Sequence, residues 1–150
     1  MREARKCWPV LVRKAQDAVN DAQNDIVQAL ARVDQLQASH QRLCKLYDEY
    51  RLQEQASQAP VMGMQASMNQ RQFMAQLLNL QQRVVVDLSK AQATLTQMRQ
   101  KKLQAEIELH KMVSLEEQDA KAVAQDAKRH EQRQMDELGV RQFILGMGSY

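Results

Sequence analysis

Apolar side chains recur along this chain at alternating steps of three and four residues. Val12, Ala15, Val19, Ala22, Ile26, Ala29, Val33, Leu36, His40, Leu43, Tyr47 and Tyr50 form one such series. Its spacing is that of the a and d positions of a heptad, the stripe that faces a partner helix in a coiled coil. His40 alone breaks the apolar character of the series, and a polar group at one such position fixes register or packing. A second series runs through Leu77, Val84, Leu88, Ala91, Leu95, Met98, Ala105, Leu109 and Met112, with Gln81 and Lys102 as its polar members. Beyond Met112 the stripe narrows to Leu115, Val123, Ala127 and Met135 among eleven charged residues in 114–137.

Chain breakers fall between these series and not inside them. The 150 residues hold four Gly and two Pro, at Pro9, Pro60, Gly63, Gly139, Gly146 and Gly148. So few turn formers leave room for few loops, and 24 Gln with abundant Ala, Leu, Met and Arg disfavour sandwiches, barrels and βαβ units. The expectation is an all-α chain of two long helices in an antiparallel coiled-coil hairpin, with the second helix longer than the first. The boundaries are helix 1 about 10–56, a turn about 57–68 around Pro60 and Gly63, helix 2 about 69–138 and a disordered tail 139–150, all one elongated coiled-coil domain. With six aromatic residues in all, helices this long cannot roll into a globular core.

A fold-back near residue 62 sets residue i opposite roughly residue 125 − i, so that Val12 meets Val113. Helix 2 then outruns helix 1 by about 25 residues, about 40 Å of helix. Trp8 and Cys7 are placed to cover the base of that overhang. A lone exposed helix of this length is marginal in water, so it either frays or waits for a partner.

Charge, taken by segment, favours the hairpin. Residues 15–60 carry −3 and 61–113 carry +4, while 1–14 sum to +4 and 114–137 to −3. Opposite flanks suit an antiparallel pair of unlike helices. The net +3 and the pI near 9.0 do not imply nucleic acid, because no face concentrates the Lys and Arg that phosphates need.

Little in the chain is catalytic. His130 and Glu131 begin an HExxH-like string, but Gln134 stands where the second metal ligand belongs. Glu106 and His110 are an ordinary i, i+4 helix pair. No Gly-rich phosphate loop, GxSxG or CxxC occurs, so neither an enzyme nor a cofactor is expected. Cys7 and Cys44 are about 50 Å apart on a helix, too far for a disulfide. The charged stretch Met1–Lys6 is no secretory leader and the longest aliphatic runs are three residues, so the expectation is a cytoplasmic chain with reduced thiols and no membrane insertion.

Three of the six aromatics, Tyr47, Tyr50 and Phe73, crowd the turn end beside Leu43, Leu46, Leu77 and Leu80. These are more apolar groups than a two-helix seam buries, and the excess is a candidate contact patch. With the surrounding strings LCKLYDEYR (Leu43–Arg51), QFMAQLLNL (Gln72–Leu80) and EQRQMDEL (Glu131–Leu138), the chain resembles the flagellar export protein FliJ family over nearly its whole length. The injectisome stalk proteins share that architecture. The resemblance implies a central-stalk component of the flagellar type III export apparatus, similar to the γ stalk of rotary ATPases. Its implied partners are the hexameric export ATPase (FliI type), the export gate protein (FlhA type) and export chaperones, at the cytoplasmic side of the inner membrane. By the same resemblance, Arg13, Lys14, Arg133, Met135 and Leu138 at the terminal end would meet the ATPase ring. Leu43, Leu46, Tyr50, Phe73, Leu77 and Leu80 at the hairpin end would meet the gate. The chain is expected to be monomeric alone; a homo-oligomeric scaffold, with overhangs pairing between chains, is the alternative class.

Overall fold

A computed structural model describes residues 2–56 and 63–148, and it contains two helices, α1 (Cys7–Ala56) and α2 (Met64–Met147), with no strand among the described residues. The second helix is the longer, 84 residues against 50. The two pack against one another as an all-α helical hairpin.

Three boundaries differ from the sequence expectation, each for a local reason. Helix α1 starts at Cys7, ahead of Pro9, because a proline in the first turn gives up an N–H that has no intrahelical acceptor anyway. Helix α2 begins at Met64, with the Gly63 carbonyl accepting the Ser67 N–H at 3.2 Å, so 64–68 are helix where a turn was expected. The rest of that expected turn, 57–62, lies outside the described residues. At the far end α2 does not stop near 138. It continues through Gly139 to Met147, and Gly148 closes it by donating its N–H to the Ile144 carbonyl at 3.0 Å. One glycine inside a helix costs only about 1 kcal/mol, too little to end a run of good neighbours. The expected disordered tail is therefore helical over 139–147.

Packing groups the chain into two compact units, Asp21–Lys102 and Met1–Asn20 with Leu103–Tyr150. In the Asp21–Lys102 unit, every α1 seam residue from Ala22 to Tyr50 is buried or half-buried. So is every α2 seam residue from Leu77 to Lys102, and the stripe reaches back to Met74 and Gln70. Leu77 is the most deeply buried of the core residues, at 3% exposed, and burying a leucine is worth about 2 kcal/mol. Polar members are accommodated individually. The Gln81 side-chain amide donates to the Leu43 carbonyl at 3.2 Å, and His40 sits 3.7 Å from the Cys44 sulfur one turn along α1. Both cysteines are free, Cys44 half-buried and Cys7 exposed.

The other unit begins in the same way. Val12, Ala15 and Val19 are buried or half-buried on α1, as are Ala105, Leu109 and Met112 on α2. Then α1 runs out, and residues 2–5 continue without helical structure along α2. Pairing numbers fix the register. Gln81 with Leu43 and Tyr50 with Phe73 add to 124 and 123, and Arg5 with Asp119 adds to 124. The antiparallel register expected from the fold-back is met to within about two residues.

Candidate functional site

Two groups of exposed apolar side chains, one in each unit, bear on the expected contact surfaces. One lies in the Asp21–Lys102 unit, where Tyr50 and Phe73 stack with ring centroids 4.8 Å apart and planes tilted by 57°. This tilted pair locks α1 to α2 at the last described turns of α1 and is worth about 1 kcal/mol beyond its burial. Leu46, Phe73 and Leu80 remain exposed, while Leu43 and Tyr50 are half-buried. Leu77 departs from the expected patch. It points into the seam, and a side chain that α1 already covers offers a partner nothing. The patch left is Leu46, Phe73 and Leu80, with the edges of Leu43 and Tyr50.

The second surface lies in the unit of Met1–Asn20 with Leu103–Tyr150. From Lys128 to Met147 every residue of α2 is exposed. Met135 and Leu138 are 68% and 54% exposed, and Val140, Phe143, Ile144, Leu145 and Met147 follow in the same state. Val140, Phe143, Ile144 and Met147 are spaced i, i+3, i+4 and i+7, which lines them up on one helix face. Arg141 is the only charged residue between Leu138 and Met147. Arg13 and Lys14 are exposed on α1 of the same unit, and Arg133 is exposed on α2. The sequence expectation saw Met135 and Leu138 but assigned the five apolar residues beyond them to a tail. Their helical spacing was the signal that a stop at Gly139 concealed.

The free part of α2 is shorter than the expected overhang, because the N-terminal residues reach further along it than α1 does. The Arg5 backbone N–H donates to Asp119 Oδ2 at 2.9 Å and the Arg2 N–H to Asp126 Oδ2 at 2.8 Å. The Arg2 guanidinium stands 3.6 Å from Asp119 Oδ1. Asp119 is the buried charged residue of the core, 8% exposed. Trp8 is half-buried and shares a cleft of about 190 Å³ with Arg2, Arg5, Leu115, Gln118, Asp119 and Ala122. Of the two residues expected to cover the overhang's base, Trp8 does so and Cys7 does not. Pattern reading missed Asp119 and Asp126, although both continue the seam from Met112 at steps of seven.

That substitution of carboxylates for apolar groups has a local cause. Helix α1 has no acidic residue in its first turn, and Arg2, Arg5 and Lys6 precede it, an unfavourable charge at a helix N-terminus. Asp119 supplies the negative charge from α2 and takes an N–H just before the first turn.

Chemistry of other kinds is absent from the described residues. No group of three or more His, Cys, Asp or Glu is gathered for a metal. His130 is exposed and contacts Gln134 Nε2 at 3.3 Å, as a surface pair one turn apart. A groove of about 570 Å³ in the Asp21–Lys102 unit is open and lined by Asp25, Arg32, Asp87 and Lys90 around Ala29 and Ala91. No helix among the described residues is long and apolar enough to cross a membrane.

The sequence model of the family described as "Flagellar FliJ protein" matches residues 9–148, which spans all of α2 and all but the first two residues of α1. No curated protein and no solved structure matches the chain.

Proposed function

The chain belongs to the flagellar FliJ family, and from that premise we propose that it is the non-enzymatic stalk of the export ATPase. In this reading the exposed end of α2 enters the hexameric ring, with Arg13, Lys14 and Arg133 on its charged approach and Met135 and Leu138 on its apolar one. The patch of Leu46, Phe73 and Leu80, edged by Leu43 and Tyr50, meets the export gate protein. Export chaperones dock on the same stalk at the cytoplasmic side of the inner membrane.

One observation carries the reading: α2 remains helical for about twenty residues past its last intramolecular cover and ends in seven exposed large apolar side chains. A solvated single helix has no use for such a face, and an unpartnered apolar surface of this kind marks a contact site. The mechanism follows from asymmetry. A ring of six like subunits meets a stalk whose faces differ, so subunits contacting the apolar stripe and subunits contacting Arg133 or Arg141 are biased differently.

The test pairs the two surfaces. Leu138→Asp with Ile144→Asp, titrated into the purified export ATPase, lowers stimulation of hydrolysis by at least about tenfold, the effect of roughly 1.4 kcal/mol or more. Capture by the cytoplasmic domain of the gate protein is unchanged. Phe73→Ala with Leu80→Ala gives the reverse pattern. Stimulation that survives the first pair would remove the free end of α2 from the ATPase contact. Sedimentation of the chain alone gives a monomer mass at all concentrations, and a concentration-dependent doubling would favour the scaffold class instead.

A further inference from the structure

The extended residues at the start of the chain do something a longer α1 would not. A helix in their place would bury side chains against α2 and would need apolar residues at the seam positions opposite. After Met112 the seam positions of α2 hold Glu116, Asp119, Val123 and Asp126, so that only Val123 is apolar, and the two aspartates accept backbone N–H groups. Contact through two N–H donors and one ion pair, with Arg2 half exposed at 51%, is weaker and more easily exchanged than a packed helix. Trp8 Nε1 is buried beside this contact with no hydrogen-bond partner, which adds a small cost to the covered state.

We infer that residues 2–6 are a displaceable strap that sets how much of α2 is free to be bound. Docked, the strap lies along Leu115, Asp119 and Ala122, and the described side chains of α2 are exposed from Lys128 onward. Released, it adds that face to the free arm, two to three further helical turns, and replaces the basic strap by open carboxylates. The occupant that displaces it is a basic, extended stretch of a partner chain, since Asp119 and Asp126 are set to receive N–H donors with cationic neighbours. The inference rests on the reading that the end of α2 is a contact surface, but the state of the strap is measurable without any partner.

Trp8 is the chain's single tryptophan and lies in the cleft where the strap docks, so its fluorescence reports the strap in the full-length protein. Arg5→Pro removes the N–H that Asp119 accepts, whereas Arg5→Ala keeps it. Quenching of Trp8 by acrylamide is expected to rise about twofold in Arg5→Pro with a red shift of emission, and to stay near wild type in Arg5→Ala. Asp126→Ala, at the outer edge of the contact where the helix cannot be unfolded by it, gives a smaller rise. Circular dichroism of each variant shows that the helices are intact. Equal quenching in wild type, Arg5→Pro and Asp126→Ala would overturn the strap. Binding to the export ATPase then tests its role, with Leu138→Asp as the reference. Affinity raised about threefold or more by Arg5→Pro supports the regulation. If Arg5→Pro opens the strap and leaves affinity unchanged, the regulation is overturned, and a loss in Leu138→Asp keeps the contact reading standing. If neither variant changes affinity, both readings fail.

Discussion

In the Asp21–Lys102 unit each seam residue of one helix lies against the other helix, and the stripe is apolar but for His40, Gln70, Gln81 and Lys102. In the unit of Met1–Asn20 with Leu103–Tyr150 the stripe of α2 outlasts α1, and its character changes with what faces it. Apolar groups serve where a helix lies opposite, and carboxylates serve where only the backbone of residues 2–5 does. Past Ala127, every described residue of α2 is exposed. A helix surface thus records what covers it, and Val140, Phe143, Ile144 and Met147 stand out because they return to an apolar pattern where this chain provides no cover. Stability and binding are thereby assigned to different stretches of one helix.

The sharpest way to break that contrast is to truncate one side chain in each stretch. Leu77→Ala is expected to lower the unfolding free energy by about 2–4 kcal/mol, the range for a buried leucine. Met135→Ala should change it by less than about 0.5 kcal/mol. Denaturant unfolding followed by circular dichroism measures both, and similar losses would mean that the free arm is packed after all. Next in size is the aromatic pair. A double-mutant cycle on Tyr50→Ala and Phe73→Ala should give a coupling of about 0.5–1.5 kcal/mol, and zero coupling would reduce the pair to two independent apolar contacts.

The paired stretch was legible in the sequence. All twelve α1 positions from Val12 to Tyr50 and all eleven α2 positions from Leu77 to Met112 are buried or half-buried, because burial between two helices must repeat every 3.5 residues whatever the residue types. The exposed apolar residues Leu46, Phe73 and Leu80 were legible as an excess over what such a seam holds, although Leu77 among them could not be sorted from its neighbours without the register. Asp119 and Asp126 were not legible. A pattern reading scores carboxylates as a solvated face, and only the backbone opposite shows that they are covered. The helical end beyond Gly139 was lost to the opposite error, in which one glycine was given the weight of a stop signal.

That last difference supplies the smallest prediction. A methyl group added at Gly139 meets nothing within 4 Å, so Gly139→Ala should stabilise the arm by about 0.5–1 kcal/mol through backbone entropy alone. Slower hydrogen exchange confined to amides near residues 134–147 would show it. Unchanged exchange there would mean that the arm is not limited by Gly139.

The antiparallel register has a consequence for how such a chain can change its length. Where partner numbers add to a constant near 124, an insertion in one helix throws every later pair out of phase, unless the other helix gains the same number of residues at the facing position. Length in the paired stretch is therefore inherited in matched steps of seven, two insertions at a time. Beyond Ala127 no such bookkeeping applies. The arm can lengthen or shorten by single events, and a change of reach toward whatever it touches requires no compensating change elsewhere in the protein.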